Sequence, residues 1–133
     1  MPMEVSVVSP EQAVWEGEAD MVIARSTEGE FGIMRGHIPF LAALVPGRVT
    51  IVSGSEREEF FVPGGFLEAS GTRGDYHVIV LADDAESPSE IDTAEARRRL
   101  EDARRRARDE ADDRAEAMLR VEMARVEIAE SRE

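Results

Sequence analysis

The 133-residue sequence contains no cysteine and no lysine. Without cysteine there are no disulfides, no thiolate nucleophiles and no zinc sites built on sulfur. Without lysine all sixteen basic positions fall to arginine, which reads as a codon-composition habit of the source genome. No apolar run approaches the roughly 18 residues that a membrane span requires. The opening Met1-Pro2-Met3-Glu4-Val5 lacks the charged and apolar regions of a signal peptide, and the Arg-rich, acid-poor texture of a transit sequence. The expectation is a protein made and kept in the cytoplasm. Aromatic residues make up only 5% of the chain, too few for a base-stacking platform. Apolar residues reach 42%, which excludes a disordered chain and supports one compact domain or a small domain with an appendage.

Charge is present in one dominant sign. The formal net charge of −13 argues against nucleic acid and anionic bilayer surfaces as partners. Residues 1–88 hold fifteen acids and five Arg, a net of −10, whereas residues 89–133 hold fourteen acids and eleven Arg, a net of −3. Dense but nearly balanced charge is the mark of solvated helices laced with ion pairs. All ten glycines and all six prolines precede residue 89, so the composition changes sharply there. This divides the chain into residues 1–87 and residues 88–133.

The first part alternates short β-type runs with turn signals. Met3–Val8 stops at Ser9-Pro10, and Ala19–Arg25 and Glu30–Met34 follow. Arg48–Val52 leads through Ser53-Gly54-Ser55 into Glu58–Val62, a hairpin, and Gly65–Ala69 pairs with Tyr76–Leu81 across Gly71–Asp75. About ten short strands with no intervening helical pattern predict an all-β antiparallel sandwich or barrel.

Beyond Ser87-Pro88-Ser89 the period changes. Asp92 and Glu95 suit an N-cap and its N3 partner. Ala96, Leu100, Ala103, Ala107 and Ala111 recur as a narrow helical stripe, with Glu101–Arg105 and Asp102–Arg106 available as i,i+4 pairs. The acids of Asp109–Asp113 favour a break, since they repel and are unfavourable at a helix C-terminus. A second helix follows with Ala115, Met118, Leu119, Val126 and Ile128 on its apolar side. So short a break predicts an antiparallel two-helix hairpin. Burying the first stripe yields on the order of 5 kcal/mol at most, opposed by conformational entropy. Such a hairpin is either fixed or able to leave the sandwich when a partner offers equal contacts.

Signs of chemistry are scarce. Gly29, Gly32 and Gly36 lack the Lys and Ser/Thr of a phosphate loop, and no G-x-S-x-G elbow occurs. His37 and His77 have no ligand spacing. Asp83, Asp84 and Glu86 form an acidic cluster that reads as a solvated loop ahead of a divalent-cation site. The pattern is that of a binding module with no catalytic residue, no metal and no cofactor.

Glu28-Gly29-Glu30-Phe31-Gly32-Ile33-Met34-Arg35-Gly36-His37-Ile38-Pro39-Phe40-Leu41, with Leu44 and Pro46-Gly47 behind it, resembles the signature loop of bacterial-type F-type ATP synthase epsilon subunits. Val7–Glu11, Val62–Glu68, Val80–Glu86 and Ile91-Asp92 match the same family in order, so the resemblance covers essentially the whole chain. It implies a ten-stranded sandwich with a two-helix C-terminus, bound to the gamma subunit and resting on the ring of c subunits as a peripheral protein of the cytoplasmic membrane face, without insertion into the bilayer. It implies coupling of ring rotation to ATP synthesis, and a hairpin that extends toward the alpha and beta catalytic subunits to inhibit ATP hydrolysis. By the same resemblance Glu30 and His37 lie near the rotor interface, and Arg97, Arg98, Arg99, Arg104, Arg105 and Arg106 are inhibitory contacts. The alternative for these Arg is solvent-facing pairs within the hairpin. Family members that bind ATP carry an I/L-D-x-x-R-A pattern and two further Arg on the second helix. Here Ile91 and Asp92 match, Glu95 replaces the Arg, and Arg125 and Val121 take the later positions. A carboxylate at position 95 repels phosphate, so little or no ATP binding is expected. Two rival classes remain: a switch whose main task is reading ATP, and a metal enzyme using Asp83, Asp84 and Glu86.

Overall fold

The computed structural model describes residues 2–36, 38–72 and 74–131. The strands are β1 (Met3–Ser9), β2 (Gln12–Ala19), β3 (Met21–Ser26), β4 (Gly29–Met34), β5 (Phe40–Leu44), β6 (Gly47–Ser53), β7 (Glu56–Val62), β8 (Gly65–Thr72) and β9 (Asp75–Ala82). They form a five-stranded sheet in the order β2-β1-β9-β8-β5 and a four-stranded sheet in the order β4-β3-β6-β7. Period-two burial explains the sandwich. Met3, Val5 and Val7 are buried while Glu4 between them is exposed, and Val22, Ala24, Ile33, Val49, Ile51, Leu67, Val78 and Val80 complete the space between the sheets.

Two details differ from the expectation of about ten antiparallel strands. Nine strands form among the described residues, because the chain after β9 makes only a single bridge, Glu86 to Phe61. Also, β1 runs parallel to β9, while the other strand pairs in both sheets are antiparallel. The last strand returns beside the first from across the molecule, a connection a tight hairpin could not make. The β7–β8 corner depends on Gly65, whose φ is +138° and where a Cβ would lie 2.1 Å from the Leu81 carbonyl oxygen.

A 3-10 turn, Pro88–Glu90, leads to α1 (Thr93–Glu110) and α2 (Asp113–Ser131). Asp92 caps α1 as expected, its Oδ1 accepting from the Glu95 N–H at 3.1 Å. The reciprocal half of a capping box is missing, because the Glu95 carboxylate pairs forward with Arg99 at 2.9 Å. At the break, Ala111 adopts the left-handed region with φ 48°, and its N–H reaches the Ala107 carbonyl. Asp112 then caps α2, accepting from the Ala115 N–H at 2.8 Å. Acids that are unfavourable at the end of α1 are favourable at the start of α2.

The hairpin lies on the outer side of the four-stranded sheet. Phe61 of β7, fully buried, joins Ile91, Ala96, Leu100, Val126, Ile128 and Ala129 in a second apolar cluster separate from the sandwich core. Arg48 Nη2 donates to Ser131 Oγ at 2.7 Å at the end of α2. The expected stripes are shorter than the sequence suggests. Ala107 is half-buried, Ala111 exposed, and Met118 is 47% exposed, since the distal part of the hairpin extends beyond the sheet that covers its base.

Candidate interaction surfaces and hairpin junction

The sandwich leaves one apolar face open. In the five-stranded sheet, Ala43 stands opposite Phe66, Phe66 opposite Leu81, and Leu81 opposite Val8. These side chains share the outward face. Phe66 is 51% and Leu81 52% exposed, and Leu41 in the adjoining row is 65% exposed. One row along, the exposed Glu68 stands between Leu41 and Ile79, and two rows along the face is polar throughout. Ser70 stands opposite His77, His77 opposite Glu4, and Glu4 opposite Glu18. The Ser70 hydroxyl lies 3.2 Å from His77 Nε2, so His77 is a hydrogen-bonded surface residue. A contiguous apolar strip of this kind marks an interaction site. Its sequence signal was the unbroken Val78-Ile79-Val80-Leu81 run, since a strand apolar on both faces needs cover on both.

Of the two sequence-predicted rotor residues, only Glu30 lies within the described residues. Glu30 is exposed at the start of β4, opposite Arg25. Met34 ends that strand about 13 Å away at the usual rise per residue, and it is 58% exposed. His37 lies outside the described residues.

The Arg set is largely engaged within the hairpin. Arg97 pairs with Glu130 at 2.7 Å, Arg99 with Glu95 at 2.9 Å, Arg104 with Glu101 at 3.3 Å and Arg105 with Asp102. The expected Glu101–Arg105 and Asp102–Arg106 pairs are replaced by pairs one residue closer, because i+3 side chains share a helix face as well as i+4 ones. Arg98 and Arg106 are exposed.

The sequence-matched ATP positions meet at the junction of hairpin and sandwich. Ile91 is buried, and Asp92 is occupied in capping α1. Arg125 of α2 is the centre. It pairs with Glu86 and with Glu122, the latter at 3.3 Å, and its guanidinium stands 4.8 Å from the centre of the Phe61 ring. The Arg125 and Glu122 side chains are 10% and 8% exposed. Burial lowers the Arg125 guanidinium from its ordinary value, with nearby Asp84 opposing; burial raises the Glu122 carboxyl, with Arg99 opposing. A cavity of about 110 Å³ beside Arg125 is walled by Glu86, Glu90, Asp92 and Glu95, with Arg99 the other cation. The acidic cluster after β9 therefore divides. Glu86 is a half-buried ion-pair partner, a correction to the solvated-loop reading, while Asp83 and Asp84 are exposed. Among the described residues no group of His, Asp or Glu is arranged to hold a metal ion, and no helix is long and apolar enough to cross a membrane.

Comparison with known proteins decides the family. Residues 2–88 match the model of the ATP synthase delta/epsilon chain beta-sandwich domain. The chain belongs to the ATP synthase epsilon-chain family. It is 40% identical over 129 residues to an ATP synthase epsilon chain of Shouchella clausii (strain KSM-K16), covering 96% of this chain and 94% of that protein. It is 39% identical over 134 residues to the epsilon chain of Anaeromyxobacter sp. (strain K), covering 97% and 98%. In fold it is similar to a chain of the Euglena gracilis mitochondrial ATP synthase solved by cryo-EM, with a TM-score of 0.79 and 20% identity over 98% of this chain and 81% of that one. The family's sandwich accounts for residues 2–88, and the likeness to the epsilon chains continues through α1 and α2.

Proposed function

We propose that this chain is a non-catalytic central-stalk subunit of an F-type, proton-translocating ATP synthase, coupling rotation of the c-ring to ATP synthesis. In this reading it is a peripheral protein on the cytoplasmic face of a bacterial membrane, without bilayer insertion. The observation that carries it is the open apolar row Ala43–Phe66–Leu81–Val8, which we assign to contact with the gamma subunit. Glu30, exposed at the start of β4, and His37 are assigned to the polar loops of the c-ring.

Residues 88–133 are assigned the regulatory part: leaving the sandwich and reaching the alpha and beta subunits to restrain ATP hydrolysis. The seat supports this reading, because it comprises one buried Leu, one Phe and a few small or branched residues. The exposed pairs of Arg97, Arg99, Arg104 and Arg105 are worth at most about 1 kcal/mol each, so their exchange for acidic loops of a catalytic subunit is inexpensive. Arg98 and Arg106, both exposed, are assigned to the same inhibitory contacts. ATP binding by the isolated subunit is weak or absent on this reading, since Glu95 occupies the place of the family's Arg and Arg125 already carries two carboxylates.

The test is truncation after Glu86 within the assembled complex, measuring hydrolysis and synthesis. Faster hydrolysis with gamma and the c-ring still co-purifying is the expected outcome. Unchanged hydrolysis would remove the regulatory assignment and leave the rotor assignment standing.

A further inference from the structure

We propose that Arg125, Glu86 and Glu122 form a proton-sensitive ionic latch that fastens the hairpin to the sandwich, tightened when Glu122 takes up a proton. It deepens the regulatory reading above by naming what sets the hairpin's resting position. The three charges come from both bodies of the molecule. Arg125 and Glu122 belong to α2, and Glu86 belongs to the segment leaving β9, held to β7 by two backbone bonds with Phe61 of 2.7 and 3.0 Å. Arg125 thereby grips, through Glu86 and the Phe61 ring, the bridge that ties the chain after β9 to β7. Arg48 of β6 and Ser131 of α2 add a further polar tie, an exposed one.

Two carboxylates share one guanidinium here, so the cluster carries a surplus negative charge where little water reaches. The groups around it do not offer a second buried cation. Asp84, Glu90, Asp92 and Glu95 face Arg125 from the β9 end, the 3-10 turn and the start of α1, with Arg99 beside them. In the groove between α1 and α2, Glu122 is joined by Arg99, Asp102, Arg106, Glu110 and Arg114, of which Arg99 is paired with Glu95 and Asp102 with Arg105. Glu86, on the better-exposed side, keeps the ion pair. Glu122, the deeper carboxylate, is the one whose charge is least compensated.

The direction of the pH effect follows. Burial raises the Glu122 carboxyl in the docked state, Arg99 only partly opposing, whereas in a released hairpin the group meets water and regains its ordinary value. The docked state therefore binds the proton more tightly, and docking weakens as pH rises from the ordinary carboxyl range through the raised one. Above that window the full cost of the buried charge is present; below it a neutral Glu122 leaves a one-to-one Arg125–Glu86 pair.

The test uses the full-length chain carrying two probes on engineered cysteines, Ser55→Cys on the sandwich and Glu116→Cys on the hairpin, which the cysteine-free background allows. The interprobe distance distribution is followed from about pH 5 to pH 9. The expected result is a released fraction that grows with pH, by up to tenfold in the docking constant per pH unit between the two carboxyl values. Glu122→Gln should stay docked and lose that pH dependence, and Arg125→Gln should be largely released throughout. The amide spectrum of β8 and β9 reports that the sandwich remains folded in each variant. An unchanged pH profile in Glu122→Gln, or a hairpin still docked in Arg125→Gln, overturns the latch. Because the readout is docking in the isolated chain, it is independent of whether truncation alters hydrolysis in the complex.

Discussion

Arg125 shows how one residue's meaning changes with its neighbours. By sequence it matches a nucleotide-contacting position; in the fold it is bound by Glu86 and Glu122 and covered by Phe61. A phosphate entering there would displace two carboxylates and face Glu90, Asp92 and Glu95 across the cavity. Millimolar ATP should therefore leave the amide NMR shifts around Asp92 and Arg125 unchanged, and saturation in the micromolar range would refute the assignment. Local, periodic features such as the Asp92 cap were legible in the sequence because they depend on residues three or four apart. The Glu86–Arg125 pair was not, because its partners are joined only by the packing of α2 over the sheet. The i,i+3 shift of the Arg104 and Arg105 pairs was illegible for a simpler reason. Side chains three and four residues apart share a face, and rotamers choose between them.

At the scale of elements, the hairpin break and both helices were readable from composition, and the strands that alternate cleanly were readable from period two. β2 and β5 were not, since Gln12–Ala19 is largely exposed and carries Ala13-Val14-Trp15 in succession, and Phe40–Leu44 is apolar at every position although its burial alternates. The break itself holds a measurable strain. Ala111 occupies the left-handed region at the C-cap of α1, a conformation that costs a residue with a Cβ about 1 kcal/mol and glycine almost nothing. The position is exposed, so no packing is lost on removing the methyl group. Ala111→Gly should stabilise the hairpin by roughly 0.5–1 kcal/mol, seen as slower amide exchange in α1 and α2 with the sandwich amides unaffected. Faster exchange in the same helices would mean that the turn gains nothing from glycine there.

For the molecule as a whole, the two sheets differ in what covers their outer faces. The four-stranded sheet has the hairpin over Phe61. The five-stranded sheet exposes Phe66, Leu81 and Leu41 in adjacent rows, and nothing within the described chain covers them. If that face seats the gamma subunit, a charge in its centre should destroy association while sparing the fold. Phe66→Glu places a carboxylate beside Leu81 and Ala43, where docking would have to desolvate it against apolar neighbours. A charge buried without a partner costs several kcal/mol, so the affinity for gamma should fall by at least about a hundredfold, each 1.4 kcal/mol being tenfold. In the free chain the same side chain points to water, and the thermal midpoint should move little. Arg98→Glu, on the hairpin, is the matched control: it changes charge by more and should leave association intact. Binding isotherms and melting curves of the two variants separate the outcomes. Normal affinity in Phe66→Glu would take the apolar row out of the rotor contact, and a lowered midpoint with lost affinity would show that Phe66 supports the sandwich itself.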